Sequence, residues 1–161
     1  MQEKGEKDWG SVAFHDDFGS FKSIFYLHLS PESLKTQNDP IKQRAILVSF
    51  LNDFAMPSLF KPVSPSANIL HREHVNVGDY NAYFAVVEIP DGSTMFDVMA
   101  NKRYDTKRGL LIFVKGEFMY MLSSGENPKV LDLVQPATPL DKLVEYEKKS
   151  LLSFNSKITF K

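Results

Sequence analysis

Cysteine is absent from this chain. That excludes disulfide scaffolds, thiolate zinc sites and cysteine nucleophiles, but it leaves the compartment open, since many exported proteins also lack cysteine. No uninterrupted run of about 18 apolar residues is present, so no segment reads as a membrane-spanning helix. An excess of charge of one sign is missing too: 19 basic and 20 acidic side chains leave a formal net charge of −1. Nucleic-acid binders usually carry a clear basic excess, so no nucleic-acid partner is expected. The same balance argues against the strongly acidic chaperones of secretion systems. The chain also lacks a G-x-S-x-G elbow, a phosphate-binding G-x-x-x-x-G-K-[ST] loop and a G-x-G-x-x-G fingerprint. Tryptophan occurs once, at Trp9.

What is present suits one globular domain. The 161 residues, 43% hydrophobic and 24% charged, are enough for a single core and short for two. Arg108 to Leu122 reads R-G-L-L-I-F-V-K-G-E-F-M-Y-M-L. Two β-type runs, 110–114 and 118–122, flank Lys115-Gly116, where glycine can take the positive φ of a tight hairpin turn. The first run is apolar without interruption, as a central strand covered on both faces requires.

Residues 1–10 are charged and Gly-punctuated and read as a flexible tether, with Trp9 docking where the ordered domain, 11–161, begins. The polar start is no signal peptide as it stands. It reads equally as a native cytoplasmic start or as the mature tether of an exported protein. Strands over 11–14 and 21–29 form an N-terminal hairpin, the second with Phe21, Phe25, Leu27 and Leu29 on one face. Ser30-Pro31-Glu32 opens a turn or a brief helix. Asp39 as N-cap and Pro40 at the first helical position start a longer helix, expected over 40–56. Its stripe is Ile41, Ala45, Val48, Leu51 and Ala55, widened by Ile46, Leu47, Phe50 and Phe54. Pro57 should end it, leaving a proline- and serine-rich loop over 57–65. Strands follow over 69–77, 80–89 and 95–104, and with the hairpin they make a meander of about five. The segment 130–134 is ambiguous between helix and strand. Thr138, Pro139 and Asp141 then open a terminal helix with Leu140, Leu143, Val144, Leu151 and Phe154 on one face.

Hairpin, helix, meander and terminal helix define an α+β chain, an α/β/α sandwich with a mostly antiparallel sheet. In this order, and in three short motifs, the chain resembles the PsbP-like family. The motifs are Val77-Gly78-Asp79-Tyr80-Asn81-Ala82-Tyr83, the hairpin from Arg108-Gly109 to Tyr120-Met121-Leu122, and Leu151-Leu152-Ser153-Phe154; Asp17-Phe18-Gly19-Ser20-Phe21 suits the family's early hairpin. The resemblance implies a non-enzymatic accessory or assembly role, as in an extrinsic photosystem subunit, DcrB-type bacterial lipoproteins and a Ran-binding relative. It brings no catalytic residues to carry over. The photosynthetic member's own N-terminal region is not recognisable here.

Each chemical constellation has a plainer competitor. His71-Arg72-Glu73-His74 lacks the H-E-x-x-H spacing of a helical zinc site, and on a strand its two imidazoles point to opposite faces. His15-Asp16-Asp17 and Pro90-Asp91-Gly92-Ser93 read as turns. Phe118 and Tyr120, with Met95, Met99, Met119 and Met121, could line an adaptable groove, but alternation over two covered faces accounts for them as core. Neither a metal nor a cofactor is expected.

The partner-binding candidates are the cations Lys102, Arg103, Lys107 and Arg108 beside a turn, with Ser58 and Lys61 in the proline-rich loop. Against them stands a solvated hairpin whose lysines keep an edge from pairing. The expected function is binding of another protein by an accessory module of the bacterial cell envelope, periplasmic or, if exported with one, on a lipid anchor. The alternatives are a cytoplasmic location and a small-ligand-binding or catalytic α+β domain with a pocket between sheet and helix, marked by His71 or His74 beside an acid.

Overall fold

Gly116 has φ +63°, the left-handed conformation that the turn after Lys115 demands. It joins two long strands, Lys107–Lys115 and Phe118–Gly125, in the expected antiparallel register with Lys115 opposite Phe118. The computed structural model describes residues 2–5, 9–15, 21–35, 38–62, 65–78, 80–88, 107–125 and 140–157. Among these, seven strands form one antiparallel sheet: β1 (Gln2–Gly5), β2 (Trp9–His15), β3 (Phe21–His28), β4 (Asn68–Val77), β5 (Tyr80–Glu88), β6 (Lys107–Lys115) and β7 (Phe118–Gly125). Their spatial order is β1-β2-β3-β7-β6-β5-β4. The chain therefore pairs neighbours at both ends and closes the sheet centrally, where β3 meets β7 with Ile24 opposite Leu122.

Helices cover the two faces. α1 (Pro31–Lys35) is a single turn whose Ser33 N–H donates to Ser30 Oγ at 3.2 Å. α2 (Pro40–Ser49) starts as the sequence indicates: Asp39 is extended, and its Oδ1 accepts from the Ile41 N–H at 2.9 Å. α3 (Leu140–Ser156) closes the described chain. Odd and even strand positions then separate into two cores. Tyr83, Ala85, Val87, Leu110, Ile112, Met119 and Met121 pack beneath α2 and its extension, while Ala82, Phe84, Val86, Leu111, Phe113 and Leu122 pack beneath α3. Leu110, Leu111, Ile112 and Phe113 are all fully buried. Each such side chain contributes about 1.5–3 kcal/mol by leaving water, which makes β6 the strand both roofs share.

Three expectations change. The helix from Pro40 does not stop at Pro57 but widens into a π-helical stretch, Phe50–Phe60, with Pro57 inside it. The Lys61 N–H reaches the carbonyl of Met56, five residues back, at 2.9 Å. Wider turns ease the clash between a proline ring and the preceding turn that ends an ordinary α-helix. The loop expected over 57–65 shrinks accordingly. Second, the buried stripe is Leu47, Phe50, Leu51, Ala55 and Met56, whereas Ile41 is 78% exposed and Ala45 exposed. Third, the N-terminal segment read as a tether supplies β1, with Glu3 opposite Val12, and Trp9 and Gly10 open β2. Backbone pairing with an edge strand needs no apolar side chain, so composition did not show it. Trp9 is 44% exposed rather than docked. The strand over 95–104, the turn at 90–93, the segment 130–134 and the cap residues Thr138 and Pro139 lie outside the described residues, as do Asp16 and Asp17.

Candidate interaction site

The basic segment is only partly described. Lys102 and Arg103 lie outside the described residues. Lys107 and Arg108 are not turn residues: they begin β6, half-buried, opposite Glu88 and Val87. Adjacent strand positions face opposite ways, so Lys107 shares the α3 face with Gly109 and Leu111, and Arg108 the other with Leu110. The four cations therefore do not read as one solvated loop. Ser58 and Lys61 are exposed, Ser58 in the π-helical stretch and Lys61 just after it.

His71 and His74 diverge as alternation requires. A register shift between Ile69 and His71 sets the parity of β4. His74 then lies against the Tyr83 ring at 4.8 Å on the α2 face, and His71 sits 6.1 Å from the Phe84 ring on the α3 face. His71 does have an acid partner: its Nε2 is 2.7 Å from Glu73 Oε2. The other oxygen of Glu73 accepts from Lys148 Nζ of α3 at 2.6 Å. The hydrogen bond from the Lys148 ammonium holds the Glu73 carboxyl below the usual range against the opposing effect of burial, and the same bond raises Lys148. All three side chains are half-buried, His71 and Glu73 on the outer strand β4 and Lys148 on α3. Among the described residues no group of three or more His, Cys, Asp or Glu side chains gathers to hold a metal.

A second polar contact lies wholly inside. Glu147 of α3 is fully buried, and its Oε2 accepts from Ser124 Oγ of β7. Gly109, opposite Ser124, lets the helix come this close. A Cβ there would stand 2.9 Å from Glu147 Cβ and 3.1 Å from Leu151 Cδ1. Nearer the helix end, Asn155 Nδ2 donates to the Tyr80 hydroxyl at 2.9 Å. Sequence reasoning missed Glu147, although the signal was there: it sits three and four residues after Val144 and Leu143 and four before Leu151, on the apolar stripe.

The remaining cluster is aromatic. On the α3 face a row of rings crosses four strands: Tyr80 to Phe113 at 5.2 Å, Phe113 to Tyr120 at 5.5 Å, Tyr120 to Phe118 at 6.2 Å and Phe118 to Tyr26 at 6.1 Å. His28 meets Phe118 edge-on at 5.0 Å and lies 3.2 Å from Glu117 Oε2. Tyr26 stands opposite Gly10 and its ring lies across that glycine. Phe113, at the buried end, lies under α3, which packs on β5, β6 and β7. Tyr120, Phe118 and Tyr26 are half-exposed where the row runs on towards β3. Burial, aided by nearby Tyr26, raises the Tyr120 phenol above its ordinary value. Met119 and Met121, by contrast, are buried in the α2-side core.

Compared with known proteins, the chain matches no family model, and no curated protein is significantly similar to it. No helix among the described residues is long and apolar enough to cross a membrane.

Proposed function

We propose that this chain is a non-enzymatic, protein-binding accessory module of the bacterial cell envelope, periplasmic or lipid-anchored, that meets its partner through the aromatic end of its sheet. The observation that carries this reading is the row Tyr120–Phe118–Tyr26, which leaves a covered core and continues half-exposed, with His28 and Glu117 at its rim. Tyrosine beside polar rim groups is the composition that concentrates binding energy at protein interfaces. The accessory role and the envelope location rest on the resemblance of the sequence to the PsbP-like family.

A photo-reactive residue at Phe118, Lys107 or Ser58 tests the surface in cells of the native host. Crosslinking to one discrete protein from position 118, abolished by Tyr26→Ala in a variant of unchanged melting temperature, is the expected result. Crosslinking from 107 and 58 but not from 118 would transfer the role to Lys102, Arg103, Lys107, Arg108, Ser58 and Lys61. A second reading, a small-ligand or catalytic domain, is favoured by the His71–Glu73 pair at 2.7 Å, a histidine oriented by an acid. Saturable small-molecule binding lost in His71→Ala would replace the first reading.

A further inference from the structure

α3 packs on β5, β6 and β7, while β4 lies beyond them at the end of the sheet. The helix reaches that outer strand with one charged side chain, Lys148, which bonds Glu73 Oε1 at 2.6 Å. Glu73 is at the same time the acceptor for His71, on its other oxygen, at 2.7 Å. One carboxylate thus separates two basic groups, one from the strand and one from the helix.

We propose that Glu73 is an acid-sensitive catch, whose protonation releases the outer strand β4 from α3 while the centre of the sheet stays folded.

The groups facing the catch are few. From β4 the neighbours on this face are His71 and the apolar Val75; from β5, Phe84 stands opposite Glu73, with Glu88 and Tyr80 at the two strand ends. From α3 come Lys148 and Glu145, whose Oε1 is 3.8 Å from Lys148 Nζ. Only Glu73 bonds both the imidazole and the ammonium. Once it is neutral, no anion bonds both groups, and the charged tie between β4 and α3 is lost. Beneath the catch, β4 adds only the partly buried Leu70, Val75 and Val77 to the α3-side cluster, whereas Phe84, Leu111, Phe113 and Leu122 are fully buried in it. Little apolar contact holds the outer strand to the helix, and much holds the central strands. Because the Glu73 carboxyl is lowered from its ordinary 4.5, the stability it contributes is complete above that value and is lost as pH falls through the lower folded one.

Native-state hydrogen exchange, read as protection factors per segment between pH 7 and pH 3, tests this. The expected result is a tenfold or greater loss of protection in residues 68–77 below pH 4.5, with 109–113 and 119–123 still protected. Glu73→Gln should show the same selective loss already at pH 7, and Lys148→Met should flatten the pH dependence of β4. Glu145→Gln should leave the transition in place. Loss of β4 protection only together with the central strands, or an unchanged β4 in both Glu73→Gln and Lys148→Met, would overturn the proposal. If Glu73→Gln fails to fold, the Lys148→Met profile decides alone.

Discussion

The two roofs of this sheet are attached by different physics. Beneath α2 and its π-helical extension the contact is made by Leu47, Phe50, Leu51, Ala55 and Met56 against Tyr83, Ala85, Leu110, Ile112 and Met121. One side-chain bond there, from Asn81 Nδ2 to Gln43 Oε1 at 3.1 Å, is uncharged. Beneath α3 the apolar cluster is stitched at three points by polar groups: Glu147 to Ser124, Lys148 to Glu73, and Asn155 to Tyr80. Burial of hydrocarbon is non-directional and indifferent to pH. Hydrogen bonds and ion pairs add little net stability but fix register and respond to protonation. The first roof is thereby strongly held; the second is keyed.

The largest effect expected from this contrast is in the hydrocarbon. Leu51→Ala on one side and Leu111→Ala on the other should each lower the free energy of unfolding by about 2–5 kcal/mol, read from urea midpoints. Closely similar losses at pH 7 and pH 5 are expected for Leu51→Ala, and a marked pH dependence there would break the comparison. Next comes the close approach under α3. Gly109→Ala places a methyl against Glu147 and Leu151 and should cost about 1–3 kcal/mol, lowering the melting temperature by roughly 2–4 °C per kcal/mol. An unaltered melting curve would show that the helix moves away freely.

The capping residue follows. Asp39→Ala removes the acceptor for the first turn of α2 and should cost about 1 kcal/mol in the same assay. Smaller again is Lys148→Met, worth about 1 kcal/mol or less at pH 7 for a half-buried pair. Its sign is set by Glu73: the difference from wild type should be present near neutrality and shrink as pH falls through the lowered Glu73 value. A difference of the same size at every pH would mean that Lys148 acts through packing alone. Arg72→Ala, exposed on the outer strand, should stay within about 0.5 kcal/mol of wild type at any pH.

Local grammar made much of the fold legible. Gly116 announced its hairpin, Asp39-Pro40 its helix start, and the unbroken Leu110–Val114 run its central strand, because each depends on neighbouring residues alone. The π-helical passage through Pro57 was not legible, since proline reports what an α-helix tolerates and not what a wider turn permits. Nor was the stripe of α2. Nine apolar residues between 41 and 55 exceed what one face can bury, so periodicity alone leaves several orientations open, and contact with the sheet selected the one that exposes Ile41.

The candidate site was read less completely. Phe118 and Tyr120 were placed on the opposite face from Met119 and Met121, which the structure bears out, but the row they form with Tyr26 needs β3 beside β7, a pairing between residues about a hundred positions apart. His71 and His74 were read as diverging, and they do. The partner Lys148 was invisible from β4 because it comes from the far end of the chain.

From its sequence alone this protein was committed to strands, turns and capped helices, to an α+β fold, and to a chemistry without cysteine thiols. Periods of two and three to four residues, and backbone angles that only certain residues tolerate, are properties of neighbours. Tertiary structure decided which strands lie side by side, that Gly109 must be bare for Glu147 to be buried, and that one carboxylate serves both a strand and a helix. Those outcomes depend on distances between residues remote in the chain, which no local pattern encodes.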